Sequence, residues 1–314
     1  MNKFLLPSSI LLIIIFLSCN NPIKNILNTN SKEQIIEKGD MHFDAKNYDS
    51  AFFYYELPLR IDSNFAISYA KMARVKSIQK DNNNAMIYCK KSLEIDPKLP
   101  MAYFFRGNVN YDSKHYEEAI NDFDKAIYLD KTYSLAYNNR GLVYKQLGKF
   151  DKAFKDFTSS VNSDTSSALA HNNRAIEYKR KKDFASALND YNKAISIKPN
   201  NAYYYNNRGN LFIDWKRFDE AFNDFNKAIG LDDNLAEAYY NRSFLKIKKL
   251  DIEGAMADLN KAINIKPDYT NAFFNRGLLK MRMNQIKEAC EDMKKSEALG
   301  NKVAANVSKE ICRD

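Results

Sequence analysis

The sequence predicts an all-α chain built from repeated antiparallel helix hairpins, and three observations carry that expectation. Arginines at 106, 140, 174, 208, 242 and 276 recur every 34 residues without an insertion. Inside one period, Ala119, Ile120, Phe123, Ala126 and Ile127 fall at i, i+1, i+4, i+7 and i+8, which is one face of a helix. Nine Gly and seven Pro in 314 residues leave few interruptions, favouring long helices over many short strands.

The chain opens like an export signal. Lys3 is the only charge among the first eighteen residues, Ile10–Leu17 is an unbroken apolar run, and Ser18 precedes Cys19. The stretch is short for a membrane span and is interrupted by Pro7 and Ser8. Phe16-Leu17-Ser18-Cys19 resembles the lipobox of bacterial lipoproteins, with Phe16 where Leu is commonest. The resemblance implies that 1–18 is removed and that Cys19 is lipidated, anchoring the protein to a membrane. Asn20 is not the acidic residue that holds such proteins at the inner membrane. The expected location is therefore the bacterial outer membrane or the periplasm; an uncleaved anchor and simple secretion are the alternatives. Residues 19–30 are polar and Asn-rich and read as a flexible tether. Ser31 with Gln34 then forms a capping-box pattern opening the first helix.

The repeat follows. AYFFRG (102–107), AYNNRG (136–141), AHNNRA (170–175), YYNNRG (204–209), AYYNRS (238–243) and AFFNRG (272–277) open successive units. Ala119, Ala153, Ala187, Ala221, Ala255 and Ala289 keep the same step in each second half. So do Asp122, Asp156, Asp190, Asp224, Asp258 and Asp292, and Pro97, Pro199 and Pro267 fall on multiples of it. Stepping back through Ala73 and Gly39, and through Ala85 and Ala51, adds two weaker repeats. The pattern resembles the tetratricopeptide-repeat (TPR) family, whose unit is a 34-residue helix hairpin. That resemblance implies an all-α TPR α-solenoid, a right-handed superhelix of hairpins. Eight repeats are expected over 31–301 (31–63, 64–97, 98–131, 132–165, 166–199, 200–233, 234–267 and 268–301), with a capping helix at 302–314. Gly148 marks a turn, and Phe123, Phe157, Tyr191 and Phe225 are expected to fill the space between neighbouring hairpins. Pro58 sits where other repeats carry small residues and should end that helix near Leu57.

Several residue sets invite roles. Arg106/Asp122, Arg140/Asp156, Arg174/Asp190, Arg208/Asp224, Arg242/Asp258 and Arg276/Asp292 lie sixteen residues apart and are expected to meet across each hairpin as internal ion pairs. A row of anion-binding arginines is the alternative, and Lys125, Lys193 and Lys227 compete for the carboxylates. Asn139, Asn173, Asn207, Asn241 and Asn275 form one ladder, with Phe105 on its first rung, and Asn138, Asn172 and Asn206 form a second column. In the resembled family these positions often contact bound peptide in a concave groove. Asn pairs with peptide backbone whatever its sequence; a merely polar lining is the other reading. Phe104, Phe105, Tyr240 and Phe274 are anchor or packing candidates. Cys89 is expected in the core. A closing helix folded back from a turn at 299–302 brings Cys290 opposite a residue near 311. A disulfide to Cys312 is then allowed, two separate thiols being the alternative.

The function expected is a non-enzymatic scaffold of the cell envelope that binds a protein or peptide. A carbohydrate or wall-polymer module, or a subunit of an envelope enzyme complex, are the alternatives. His42, His115 and His171 occupy unrelated repeat positions, so no metal site is expected. No phosphate loop, nucleophile elbow or zinc-protease motif occurs in the sequence, and no cofactor is expected. The formal charge of +9, one less without Lys3, is spread along the repeats. It reads as a basic solvated surface near anionic lipid or wall polymer rather than a nucleic-acid site.

Overall fold

A computed structural model describes residues 22–312; residues 1–21, with the expected export signal and Cys19, and the last two residues lie outside them. Among the described residues the chain forms eighteen α-helices and one 3-10 turn, with no strand. Two compact units part between Ser163 and Asp164.

In the first unit, α1 (Pro22–Thr29) precedes four hairpins: α2/α3 (Lys32–Asp44, Tyr48–Glu56), α4/α5 (Ala66–Ile78, Asn82–Ile95), α6/α7 (Pro100–Asp112, Tyr116–Leu129) and α8/α9 (Ser134–Gln146, Phe150–Ser163). The second unit also holds four: α10/α11 (Ala168–Arg180, Phe184–Ile197), α12/α13 (Ala202–Asp214, Phe218–Leu231), α14/α15 (Ala236–Lys248, Ile252–Ile265) and α16/α17 (Thr270–Arg282, Ile286–Ala298). A closing helix, α18 (Lys302–Ile311), follows them.

The reading of 19–30 as a tether is corrected from residue 22 onward, where α1 forms. Pro22 starts a helix without wasting an N–H. Ile23, Ile26 and Leu27 then share one partly buried face. The polar composition hid that face. The capping box is present: Ser31 Oγ accepts from the Gln34 N–H (3.2 Å), and the Ser31 N–H donates to Gln34 Oε1 (2.8 Å). Pro58 acts as expected. Helix α3 stops at Glu56, and Leu57–Arg60 continue as a 3-10 turn.

Each hairpin turns on one residue in the left-handed region. These are Lys46, Lys80, Lys114, Gly148, Lys182, Lys216, Leu250 and Asn284, with φ between 60° and 71°. The next residue's N–H reaches back to close the turn, as His115 does to the Asn110 carbonyl (2.8 Å). Only one of the eight is Gly, so the motif is held by its hydrogen bonds at a backbone cost of about 1–2 kcal/mol per non-Gly turn.

The hairpin core rests on size matching. The Phe123, Phe157 and Phe225 rings are wholly buried. Each lies so close to Gly107, Gly141 or Gly209 that a Cβ there would stand 2.6–2.7 Å from ring carbon Cε1. Tyr55 and Gly39 repeat the arrangement in the first hairpin. These rings therefore seal the seam inside their own hairpin as well as filling space against the next one. The larger apolar residues of the first helices make the stacking contacts. Leu211 packs with Ala175, Ala187 and Tyr191, and Leu245 packs with Phe225. At the C-terminal end, α18 buries Ala304, and Ser308 Oγ donates to Glu297 Oε2 (2.6 Å).

Candidate ligand-binding face

The six arginines reach the six aspartates sixteen residues on. Arg140, Arg174, Arg208, Arg242 and Arg276 each donate through Nε and Nη2 to both carboxylate oxygens of their partner at 2.6–2.9 Å. Arg106 and Asp122 make the same contact at 2.6–3.0 Å. The carboxylates are buried, with 2–7% of the side chain exposed, and the guanidiniums keep 15–28%. Burial pushes the Asp156 and Asp224 carboxyls above their ordinary range even though guanidinium hydrogen bonds pull them down. Desolvation thus consumes much of the Coulomb gain, and these pairs set hairpin register more than they add stability. Lys125 does not compete for Asp122; its Nζ lies 5.1 Å from the Tyr128 ring centroid.

The arginines also do something the spacing did not suggest. Nη1 of Arg208, Arg242 and Arg276 donates to Asn192, Asn226 and Asn260 of the preceding hairpin at 2.6–2.8 Å. Arg140 does the same to Asp124. Each of these arginines therefore ties its own hairpin together and staples it to the one before. The recipients keep the 34-residue step, and that was the available signal. Three residues before each arginine stands Tyr103, Tyr137, His171, Tyr205, Tyr239 or Phe273. The five aromatic six-carbon rings lie 5.4–5.6 Å from their guanidinium. At the sixth, His171 instead pairs its Nδ1 with Asp190 Oδ1 (2.9 Å).

The asparagines link adjacent first helices. Asn207 Nδ2 donates to Asn172 Oδ1 (3.0 Å), Asn241 Nδ2 to Asn206 Oδ1 (3.0 Å), and Asn275 Nδ2 to Tyr240 Oη (3.2 Å). In the first unit, Asn139 Nδ2 donates to Asn108 Oδ1 (2.7 Å), and Lys71 Nζ to Asp40 (2.7 and 2.8 Å). The rung between these two is aromatic: the Arg74 guanidinium lies 3.6 Å from the Phe43 centroid and 6.0 Å from that of Phe105.

These contacts divide the expected groove residues. Asn138, Asn172, Asn173 and Asn206 are buried at 1–7% exposure, so they form the inner side of the ladder rather than a surface for a ligand. Asn138 donates to Asn139 Oδ1 (3.0 Å), and Asn172 to Asn173 Oδ1 (3.4 Å). Asn139, Asn207, Asn241 and Asn275 are half-buried. The last three each commit one N–H to a rung, and the side-chain oxygen and second N–H remain for a ligand. Phe104 and Phe105 are buried and pack, the second of the two roles expected for them. Tyr240 accepts the Asn275 bond and lies 5.0 Å from Tyr269, centroid to centroid; Phe274 is half-buried.

Cys290 and Cys312 are joined by a disulfide, with Cα atoms 5.3 Å apart, tying α18 to α17. Cys89 is fully buried, and burial pushes its thiol up to about 12. Among the described residues, no cluster of His, Cys, Asp and Glu could hold a metal ion, and no helix is long and apolar enough to cross a membrane.

Stacked hairpins with internal ion pairs, a sealed glycine seam and a polar ladder on their first helices define a helical-repeat scaffold. The chain belongs to the tetratricopeptide-repeat family. Models described as tetratricopeptide repeat match residues 66–99, 135–166, 168–201, 202–235 and 236–269, and one described as TPR repeat matches 107–148. No curated protein sequence matches the chain significantly. Among solved structures, it is similar to the APC/C hetero-tetramer Cut9–Hcn1 (TM-score 0.72, 14% identity, covering 93% of this chain and 58% of that one). It also resembles a tetratricopeptide repeat protein from Parabacteroides merdae (TM-score 0.54, 21% identity, 85% and 98%). Yeast Tom70 is a third (TM-score 0.55, 21% identity, 90% and 64%). At these identities the likeness is one of fold.

Proposed function

We propose that this TPR scaffold binds an extended segment of a protein partner along its first helices, at the bacterial cell envelope. The observation that carries the reading is the half-buried ladder of Asn207, Asn241 and Asn275. Each side chain is fixed by one rung and keeps a donor and an acceptor for a peptide backbone. Such preorganised groups lower the ordering cost of binding. The envelope part rests on the sequence of 1–19 and is supported by the Cys290–Cys312 disulfide, a bond favoured in oxidising compartments.

A photoreactive benzophenone residue at Asn210, on a first helix, should capture partner protein in intact cells. The same group at exposed Lys227, on a second helix, should capture little. Equal capture at both sites, or none at Asn210, would refute ladder-side binding. Capture of wall polymer instead would favour the carbohydrate module. Asn207→Ala should reduce capture, and it should also lower stability by about 1 kcal/mol, because it leaves the buried Asn172 oxygen unpaired. Cys19→Ala should abolish incorporation of labelled fatty acid; retained label would refute the anchor.

A further inference from the structure

A hollow of about 370 Å³ opens between α14 and α16, lined by Phe244, Ile247, Leu278 and Met281, with Asn275 and Arg282 at its polar side. Phe244 and Leu278 are one repeat apart, so they occupy the same register on adjacent first helices, and each leaves 37% of its surface exposed. The same register holds Asn108 in the third hairpin and Asn210 in the sixth. The fold therefore does not require an apolar residue there. The volume lies at the low end of ligand sites, roughly 300–1,000 Å³. It suits one large side chain and its adjoining backbone.

The polar surroundings are specific as well. Asn275 gives one N–H to Tyr240 Oη and retains its oxygen and second N–H. Lys248 and Arg282 are again one repeat apart and both are exposed. Lys248 lies over the Phe244 ring (5.3 Å), and neither cation has a carboxylate partner among the described residues. Two residues earlier, Lys246 and Lys280 are neutralised by Asp258 and Asp292 at 2.9 and 2.8 Å. The hollow is thus an apolar socket beside two uncompensated cations and a backbone-pairing amide.

We infer that this socket takes a large apolar side chain (Leu, Ile, Met or Phe) of an extended partner segment whose neighbouring residues are acidic. The apolar group removes Phe244 and Leu278 from water, the carboxylates meet Lys248 and Arg282, and the backbone pairs with Asn275. The assignment rests on the ladder-side binding proposed above and gives that binding its sequence preference.

A random dodecapeptide phage library panned against the purified full chain tests it, with recovered peptides measured by fluorescence anisotropy. Recovered sequences should pair Leu, Ile, Met or Phe with adjacent Asp or Glu. Phe244→Ser should weaken them at least tenfold. Arg282→Glu, a change at an exposed side chain outside the core, should weaken them about fivefold and flatten their salt dependence. Peptides lacking that pattern, or indifferent to Phe244→Ser and Arg282→Glu, would overturn the socket. If such peptides were still weakened by Asn207→Ala, the ladder reading would stand alone. A library that yields no binder, or binders indifferent to all three changes, would overturn both.

Discussion

Gly209→Ala and Gly230→Ala are the same chemical change in neighbouring helices, and the structure predicts opposite outcomes. A Cβ on Gly209 would stand 2.6 Å from Phe225 Cε1, 2.9 Å from Cδ1 and 3.0 Å from Cζ. The ring is wholly buried and cannot swing aside, so α12 and α13 would have to part. A Cβ on Gly230 meets nothing within 4 Å. Alanine gains up to about 1 kcal/mol over glycine in a helix at either site. Forcing a methyl into a packed core costs about 1–3 kcal/mol. Gly230→Ala should therefore stabilise, while Gly209→Ala should be neutral to destabilising by about 2 kcal/mol. Because the propensity gain is shared, the difference between the two variants isolates the clash, at about 1–3 kcal/mol. Urea unfolding followed by circular dichroism gives the midpoints, and hydrogen exchange over 202–231 localises the effect. Adding Phe225→Leu to Gly209→Ala should recover stability, since Ser243 already faces Leu259 in the next hairpin. A Gly209→Ala protein as stable as Gly230→Ala would refute the seam.

Three further outcomes follow from the same coordinates. Asp224→Ala should cost about 3 kcal/mol by leaving the Arg208 charge without its carboxylate, the low end for a buried pair because Arg208 keeps 20% of its side chain in solvent; an unchanged urea midpoint would show the pair to be dispensable. The helix caps Asp81 and Asp183 lie below their ordinary range because Asn84 and Ser186 donate to them. Their contribution is present above the unfolded value near 4 and is lost as pH falls through the lowered folded value. Asp81→Asn with Asp183→Asn, which caps without titrating, should lose less stability between pH 7 and pH 3 than the parent chain, and equal acid losses would argue against the linkage. Reducing the Cys290–Cys312 bond, which spans 22 residues, should lower stability by about 3 kcal/mol and speed exchange in α18 first; exchange there that ignores reductant would show the clasp to be inert.

Sequence alone determined the hairpin array, because a 34-residue period with helical spacing leaves apolar faces that only like neighbours can cover. The reach of each arginine to its aspartate was legible too, since it follows from folding one hairpin about its turn. Contacts between hairpins required tertiary structure. The arginines' second bond, to Asn192, Asn226 and Asn260, joins residues sixteen apart in the opposite direction along the chain, and only stacking brings them together. Packing also divided the ladder itself, burying Asn173 while leaving Asn139, Asn207, Asn241 and Asn275 half-buried. The same packing left Phe244 and Leu278 partly in water while burying Phe104 and Phe105. A period gives every repeat the same local instructions, so which side chain stays exposed depends on the neighbour that packs against it.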